Sequence, residues 1–475
     1  MPKPVNFLTL AILSISILTI MAASAVSPAL SAIKEAFLET SDTAIKMVMT
    51  LPSLVMIPFS LLSGWMTTRI NKKGLVIVGM IVYLVFGIGG AFATTFTQLL
   101  ICRACFGVSI GILMPLSNTL IFDLVEKDRQ SSVMGLSVSS NQIGGILFLS
   151  IAGMLAGISW RYCFAVYLLV LLSLCLVAWK LPSMPPVRKA DTLKTDAHPA
   201  RVRLNWKIFA IAFLAMVSSA CLFVVYTDLA LYIQQEKPLF SSEVGLVSDR
   251  ATLQKQLAEN QVGEELAANF AQQGITISPQ ASIKEIQPRQ EWLIKSGMQE
   301  YHIRKTDNAL QVTRSLGTAE MAGYALSLMG IPAAIAGFIL AFLLKRMGYY
   351  LLPLAALLMA GGYMLLGYAD SYLLILCSVL FIGLSGGLLS SPLMLLVPKV
   401  LSPQARSLGI AIVSSFILLG QFVSPFYTNG ISWLTGYGDF RSKFLTVTVT
   451  LLVFAIGGCV YIFSNQRPLR HTFLA

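Results

Sequence analysis

The sequence is poor in charged residues, and this shortage limits what the protein can be. Only 12% of its 475 residues are Asp, Glu, Lys or Arg, against roughly a quarter in an ordinary soluble domain. Hydrophobic residues make up 56% of the chain, and the mean hydropathy is +0.75. Such a chain can neither cover a water-facing surface nor stay disordered in water. A membrane protein is the class that remains.

Residues suited to enzymatic or metal chemistry are also scarce. The three histidines, His198, His302 and His471, lie far apart and outside the long apolar runs, whereas all seven cysteines fall within those runs. The sequence contains no Gly-x-x-x-x-Gly-Lys-Ser/Thr loop of the kind that holds nucleotide phosphates. We therefore expect no enzyme activity, no metal site and no bound cofactor.

Long apolar runs are what the sequence has in abundance. A helix needs about 20 apolar residues to cross the bilayer core, and these runs lack the period-two alternation of barrel strands. They lie near residues 7–29, 44–66, 74–94, 97–121, 131–156, 162–182, 208–233, 318–344, 349–369, 371–397, 407–430 and 441–464. The fold predicted is an all-α membrane protein with twelve transmembrane helices. A cleaved signal peptide at the first run is the alternative, but it would leave an odd number of spans.

The basic residues predict the orientation of these spans. Nineteen Lys and Arg fall on the side that carries both termini, and five fall in short loops on the other side, namely Lys34, Lys46, Arg161, Arg441 and Lys443. Basic loops stay in the cytoplasm, so we expect both termini to be cytoplasmic in a multi-pass plasma membrane of the bacterial inner type. The net charge of +12 then reflects topology, and no nucleic-acid partner is expected.

A break in the pattern divides the runs into six and six. Residues 183–206 are polar and contain several prolines, which is typical of a cytoplasmic linker. The predicted units are an N-terminal six-helix bundle over 1–182 and a C-terminal one over 207–233 and 318–475. Two halves with equal numbers of spans are typical of pseudo-symmetric transport proteins.

Residues 234–317 do not fit the plan of two helical bundles. The segment carries nine basic and ten acidic residues and no cysteine, and we place it outside the cytoplasm as a small α+β domain. Residues 249–273 have helical spacing, and a turn is predicted at 305–308. Strand-like alternation occurs at 275–277, 292–294, 301–303 and 310–312. The insertion is either a passive cap or has a role in gating, substrate capture or contact with an unknown partner.

The loop after the second run contains Gly64, Arg69, Lys72 and Lys73. This pattern resembles the loop signature of the major facilitator superfamily, although Thr68 stands where the family has Asp. Gly64 would allow close helix approach there. A degenerate copy, with Arg346 and Gly348, occurs at the equivalent place in the second half.

The fourth run contains Arg103, Gly107, Gly111 and Pro115, which resembles the fourth-helix signature of proton-linked members of the superfamily. Arg103 and the two glycines share one helical face. The glycines should allow close packing, and the arginine needs a partner or water unless it snorkels to the surface.

The fifth run carries Asn141 and Gln142 without the Gly-Pro pair that drug exporters of the superfamily usually have. Polar side chains at this depth either contact a substrate or hydrogen-bond neighbouring helices. Both interpretations stay open.

Asp228 is the one carboxylate that lies clearly within a run. In the superfamily that the chain resembles, spans one, four, seven and ten line the central cavity, which would bring Asp228 and Arg103 together from opposite halves. We expect the two to pair when the outer side is closed, and a proton on Asp228 to release them. Alternatively, the carboxylate is solvated near the interface or bonded within its own half.

The resemblance implies a monomeric secondary active transporter that moves small molecules by alternating access. Proton-coupled export of amphipathic or drug-like compounds is the leading expectation, with a proton gradient as the energy source. Candidates for the cavity lining are Met114, Phe223, Tyr226, Gln421 and Phe422, together with the polar pair of the fifth run. A nutrient or metabolite symporter is the alternative, and a ligand-binding or partner-binding protein acting through the insertion is a third.

Overall fold

The computed structural model describes most of the apolar chain and part of the insertion. It covers residues 7–67, 69–183, 206–235, 237–243, 277–287, 291–296, 299–305, 309–400, 406–436 and 438–464, and the single positions Glu264, Ala267, Ala268 and Ala271. Nearly all of the predicted linker 183–206, most of the predicted helix over 249–273 and positions 306–308 of the predicted turn lie outside these residues.

The described chain is mostly helical. The first half contains α1 (Phe7–Ser24), α2 (Leu30–Ala36), α3 (Asp42–Met66), α4 (Lys72–Gly89), α5 (Phe96–Leu124), α6 (Lys127–Ile158) and α7 (Val170–Lys180), the last preceded by a 3₁₀ segment, Tyr162–Leu169. The second half contains α8 (Trp206–Ile233), α9 (Ala319–Leu328), α10 (Gly330–Met347), α11 (Leu351–Gly367), α12 (Tyr372–Val400), α13 (Arg406–Thr435) and α14 (Phe440–Ser464).

Nine helices within the described residues are long and apolar enough to cross a bilayer, and three shorter apolar helices occupy Phe7–Leu18, Ile143–Ile158 and Leu351–Gly367. Several begin at side chains that cap the free N–H groups of the first turn. The Ser41 hydroxyl accepts from the Ala44 N–H at the start of α3, and Thr95 and Gln98 form a capping box at the start of α5. Such local signals explain why the helices begin close to the predicted apolar runs.

Each half has its own core. One large cluster of buried apolar side chains comes mainly from residues before 183, and a second comes mainly from residues after 206. Tyr83, Phe106 and Tyr167 pack together in the first cluster, and Tyr363 and Phe444 pack in the second. Because each half buries its own apolar surface, the two halves can shift against each other without opening either core.

A five-stranded antiparallel sheet lies between α8 and α9 along the chain. Its strands are β1 (Lys237–Glu243), β2 (Ser282–Gln287), β3 (Glu291–Ser296), β4 (Gln299–Lys305) and β5 (Ala309–Ser315), in the order β1-β5-β4-β3-β2. The alternating segments at 292–294, 301–303 and 310–312 are strands as predicted. Ile277 is not in a strand, and β1 and β2 were not predicted.

The sheet has a buried apolar face and is joined to the helices by a short neck. Ile283, Ile294, Tyr301 and Ile303 are buried, and the register aligns the first three across β2, β3 and β4. β1 and β5 pair with each other, and the Gly317 N–H donates to the carbonyl of Ile233 at the end of α8. We call this end of the helices the sheet side and the opposite end the terminal side.

The glycines of the fourth-helix motif lie at a close helix contact, as predicted. A Cβ on Gly107 would lie 2.7 Å from the carbonyl oxygen of Pro52, and one on Gly111 would lie 3.0 Å from that of Met56, both in α3. A Cβ added to Gly64 of the loop motif would meet nothing within 4 Å, so the expectation of close approach there is wrong.

We expect Gly107→Ala to destabilise the protein by about 1–3 kcal/mol, because the backbone of α3 has to move away from the new methyl group. Unfolding in mixed detergent micelles measures this loss. The matched control is Gly361→Ala in α11, where a Cβ meets nothing within 4 Å. Equal stability of the two variants would contradict the prediction.

Candidate functional site

The two halves are joined by hydrogen bonds that lie between the sheet side and the middle of the helices. Among the described residues, six such bonds connect the first half to the second: Ser27 to the carbonyl of Tyr226, Gln234 to the carbonyl of Pro28, Asn429 to Thr43, Lys46 to Asp228, Ser53 to Gln421, and Ser150 to Ser327. The first two bonds hold the 3₁₀ segment Ser27–Ala29 against α8 and the residue that follows it, and the other four hold α3 against α8 and α13, and α6 against α9. The structure is therefore closed on the sheet side.

Two glycines make the tightest part of this closure. A Cβ on Gly323 of α9 would lie 2.7 Å from the Cα of Gly153 in α6 and 2.9 Å from the carbonyl oxygen of Leu149. Only residues without side chains allow the two backbones to approach this closely across the halves.

We expect Gly323→Val to hold the protein open on the sheet side, because the added methyl groups collide with backbone atoms that cannot rotate away. A pair of spin labels at Leu38→Cys and Trp433→Cys, two strongly exposed sheet-side positions, would show a longer distance. Gly337→Val is the control, since a Cβ there meets nothing within 4 Å. An unchanged distance between the two spin labels in Gly323→Val would contradict the prediction.

An ion pair lies at the centre of the sheet-side closure. Lys46 of α3 donates from Nζ to Oδ1 of Asp228 in α8 at 2.5 Å, and both side chains are fully buried. The Thr227 hydroxyl lies 2.8 Å from the other carboxylate oxygen. Separating the two partners inside this buried interface would leave an uncompensated charge, so the pair favours the closed arrangement of the halves.

The predicted pairing of Arg103 with Asp228 is wrong. Arg103 points into the core of the first half, where Nη1 donates to the Tyr167 hydroxyl at 3.0 Å. Its guanidinium lies over the rings of Phe106, Phe164 and Tyr167, 4.6–5.3 Å from their centroids. The side chain is 1% exposed, which also excludes snorkelling. Cation–π contacts hold the arginine within the core of its own half, whereas Asp228 pairs with Lys46 across the halves.

Lys46, the actual partner of Asp228, was predicted to lie in a short loop. Lys46 lies in the second turn of α3, which begins at Asp42, and Lys443 lies in the first turn of α14, which begins at Phe440. Both are buried, at 0% and 4% exposure. A lysine at the edge of an apolar run looks the same in sequence whether it faces water or a neighbouring bundle. The available signal was the position of Lys46 within the predicted second span.

A cavity of about 220 Å³ lies between the halves. Its wall comes from α6, α8, α9, α10 and α12, and is formed by Gly145, Ile146, Leu149, Leu222, Tyr226, Leu326, Ser327, Met329, Gly330, Ala333, Gly383, Gly386 and Gly387. Tyr226 and Ser327 supply the polar side chains, and the rest of the wall is apolar or glycine.

The other predicted cavity residues occupy different positions. Phe223 packs on Tyr226 with ring centroids 5.5 Å apart, and Phe422 packs on Phe426 at 5.4 Å. Gln421 accepts from Ser53 at 2.8 Å across the halves, and Met114 is 41% exposed on α5.

The structure describes the side chain of only one of the two polar residues of the fifth run, Asn141. The Asn141 Oδ1 atom is buried and accepts no hydrogen bond from any described residue. Of Gln142 only the backbone, within α6, belongs to the described part of the chain. The choice between substrate contact and helix packing therefore stays open.

The basic residues of the loop motif bind within the first half. Lys72 pairs with Asp123 at 2.5 Å, Lys73 donates to the carbonyl of Ala178 at 2.9 Å, and Arg69 lies over the Trp65 ring. The two lysine contacts tie the terminal-side ends of α4, α5 and α7 together, and the arginine contact stays within the end of α3 and the loop after it.

The chain matches the model of a known protein family. The family model described as Major Facilitator Superfamily matches residues 12–247 and 306–473. Residues 248–305, which it leaves out, fall within the predicted insertion.

Curated relatives of the chain are transport proteins. The Hexuronate transporter of Bacillus subtilis (strain 168) is 28% identical over 145 residues, 30% of this chain and 34% of that protein. The Inner membrane transport protein YnfM of Escherichia coli (strain K12) is 25% identical over 226 residues, 45% of this chain and 53% of that protein. The chain thus aligns with about a third to a half of the length of these relatives.

Among solved structures, the chain resembles the crystal structure of a D-xylose-proton symporter. The TM-score is 0.63 at 15% sequence identity, and the match covers 94% of this chain and 96% of the other. At this identity the likeness is one of fold.

Proposed function

Because the chain belongs to the major facilitator superfamily of transporters, we propose that it is a proton-coupled secondary transporter that works by alternating access. We assign to it twelve spans in two six-helix bundles. These spans are the nine long helices and the three shorter apolar helices. Both termini lie in the cytoplasm in this proposal, and the sheet lies outside. The structure then corresponds to the state that is closed to the outside.

The buried Asp228–Lys46 pair is the observation that supports proton coupling. A carboxylate that is fully enclosed in the membrane region and paired across the moving interface is costly to keep unless it has a function. Protonation of Asp228 would remove its charge and with it the attraction to Lys46, which weakens the contact between the halves. The gain or loss of one proton by Asp228 thereby changes which conformation is preferred.

The substrate we propose is a small molecule, because the cavity between the halves holds about 220 Å³. Its mostly apolar wall, with Tyr226 and Ser327 as polar contacts, favours amphipathic compounds, and export of such compounds is the first candidate. Import of a polar metabolite with protons is the second candidate. It is favoured by the similarity to a protein named as a hexuronate transporter.

Proton flux in proteoliposomes tests this proposal directly. Purified protein is reconstituted with a pH-sensitive dye inside the vesicles and offered D-glucuronate, D-arabinose, p-aminohippurate and tetraphenylphosphonium in turn. We expect one class of compound to move protons and to accumulate when a pH gradient is imposed. Transport that is indifferent to the gradient for every transported compound would refute proton coupling.

A further inference from the structure

Tyr226 is the residue of the cavity wall that has a hydrogen-bond donor to offer a ligand. Ser327, the other polar residue of the wall, donates to the carbonyl of Gly323 at 2.7 Å and accepts from Ser150 at 2.9 Å, so its hydrogen is already used. The hydroxyl of Tyr226 makes no hydrogen bond with the residues that the structure describes. A ligand in this cavity therefore meets one donor, the tyrosine hydroxyl.

The surrounding protein fixes the position of Tyr226. Its ring packs on Phe223, with centroids 5.5 Å apart, and its backbone carbonyl accepts from Ser27 of the first half. The residue also packs against the buried apolar clusters of both halves. Because the donor is already held in place, little ordering is needed when a ligand places an acceptor opposite it.

Close packing of the surrounding helices limits the size of the cavity. A Cβ on Gly387 of α12 would lie 2.9 Å from the carbonyl oxygen of Ala333 in α10, and one on Gly386 would lie 2.9 Å from a methyl carbon of Leu222 in α8. These glycines let α12 approach both helices, so the width of the cavity is set by the helix spacing. Since a cavity of about 150 Å³ holds benzene, one of about 220 Å³ holds a ring with a short substituent, roughly nine or ten non-hydrogen atoms.

The cavity wall carries no charge that could balance an ion. None of the wall residues that the structure describes is Asp, Glu, Lys, Arg or His, and apart from Tyr226 and Ser327 they are apolar or glycine. Burying an ion without a partner costs far more than burying a neutral group. The cavity therefore favours a neutral ligand that is mostly apolar and has one acceptor oxygen.

We propose that the transported substrate is a compact neutral molecule whose oxygen accepts a hydrogen bond from Tyr226. This inference rests on the proposed transport function and adds to it the substrate class and a specificity-determining residue. A hydrocarbon of the same shape would leave the tyrosine donor unpaired. A carboxylate of the same shape would lose its hydration without gaining a cation. The wall thus discriminates against both.

Binding of tritiated acetophenone to the purified full-length protein, followed by scintillation proximity, tests these requirements. α-Methylstyrene replaces the carbonyl oxygen by a methylene group, benzoate adds a charge, and benzophenone adds a second ring. We expect unlabelled acetophenone to compete, α-methylstyrene to compete about three- to tenfold more weakly, and the other two compounds not to compete. Competition by benzoate or benzophenone at the strength of acetophenone would overturn the inference.

Substitution of Tyr226 decides whether the acceptor binds where we place it. Tyr226→Phe keeps the ring and removes the hydroxyl, so acetophenone should bind about three- to tenfold more weakly while α-methylstyrene binds as before. Unchanged binding of the hydrocarbon also shows that the variant is folded. Tyr324→Phe is the matched control, because Tyr324 is 42% exposed on α9 and lies outside the wall. If Tyr226→Phe leaves the ratio of the two affinities unchanged, the inference is wrong.

Proton flux in proteoliposomes separates this inference from the proposed function. Small neutral compounds cross the bilayer unaided, so the internal pH is followed instead of the compound. We expect acetophenone to start a proton flux that Tyr226→Phe weakens and Asp228→Asn abolishes. If D-glucuronate, D-arabinose or tetraphenylphosphonium moves protons and acetophenone does not, the inference fails while the proposed function stands. If acetophenone binds through Tyr226 but no compound moves protons, the proposed coupling fails while the binding site stands.

Discussion

Asp228→Asn is expected to abolish transport driven by a pH gradient and to reduce accumulation to the level of protein-free vesicles. The amide cannot gain or lose a proton, so the closed state no longer responds to pH. The variant should still insert and fold, because Lys46 can become hydrated when the sheet side opens. Exchange of labelled for unlabelled substrate at equal concentrations should persist, since exchange needs no net proton movement.

Uptake with and without an imposed pH gradient is the measurement for this variant. Glu320→Gln is the matched control, because Glu320 is an exposed acid in the first turn of α9 on the sheet side and has no part in the buried pair. It should retain nearly all accumulation. If Asp228→Asn still accumulated substrate as the parent protein does, Asp228 would not be the coupling group.

Lys46→Met is expected to lower stability by about 3–5 kcal/mol, because it leaves a buried carboxylate without its partner. Adding Asp228→Asn to Lys46→Met should recover most of the loss, since removing both members of a buried pair is often close to neutral.

Unfolding in mixed dodecylmaltoside–SDS micelles gives the three free energies of this double-mutant cycle. Lys34→Met provides the matched control, because it breaks an exposed pair of similar length and should cost no more than about 1 kcal/mol. Equal effects of Lys46→Met and Lys34→Met would show that the pair across the halves does not stabilise the closed state.

Much of the fold could be predicted from the sequence because the physical signals were local. Apolar runs long enough for a bilayer lie close to the helices observed, and caps such as Ser41 and Thr95 fix where helices begin. Alternation predicted three of the five strands. The two strands it missed, Lys237–Glu243 and Ser282–Gln287, consist mainly of polar residues, so hydrophobic alternation gives little signal there.

The candidate site could be predicted only in part. Asp228 was identifiable because a carboxylate within an apolar run is rare, and Gly107 and Gly111 were identifiable because their spacing places them on one helical face. Arg103 was identifiable for the same reason, because it is also a charged residue within an apolar run. Its charge is opposite to that of Asp228, so the two were predicted to pair. The aromatic rings that hold Arg103 come from its own helix and from the Tyr162–Leu169 segment, and this arrangement has no local signature.

By itself, then, the sequence determined the membrane class, the approximate helices, the one acid within an apolar run and the glycine face of α5 that packs closely, whereas the structure showed that this face contacts α3. The tertiary structure decided the partner of that acid, because Lys46 and Asp228 are 182 residues apart and meet only through the packing of the two halves. It also decided that Lys443 is buried without a carboxylate partner among the described residues. Hydropathy depends on neighbours along the chain, whereas the partner of a charge depends on which surfaces the folded halves bring together.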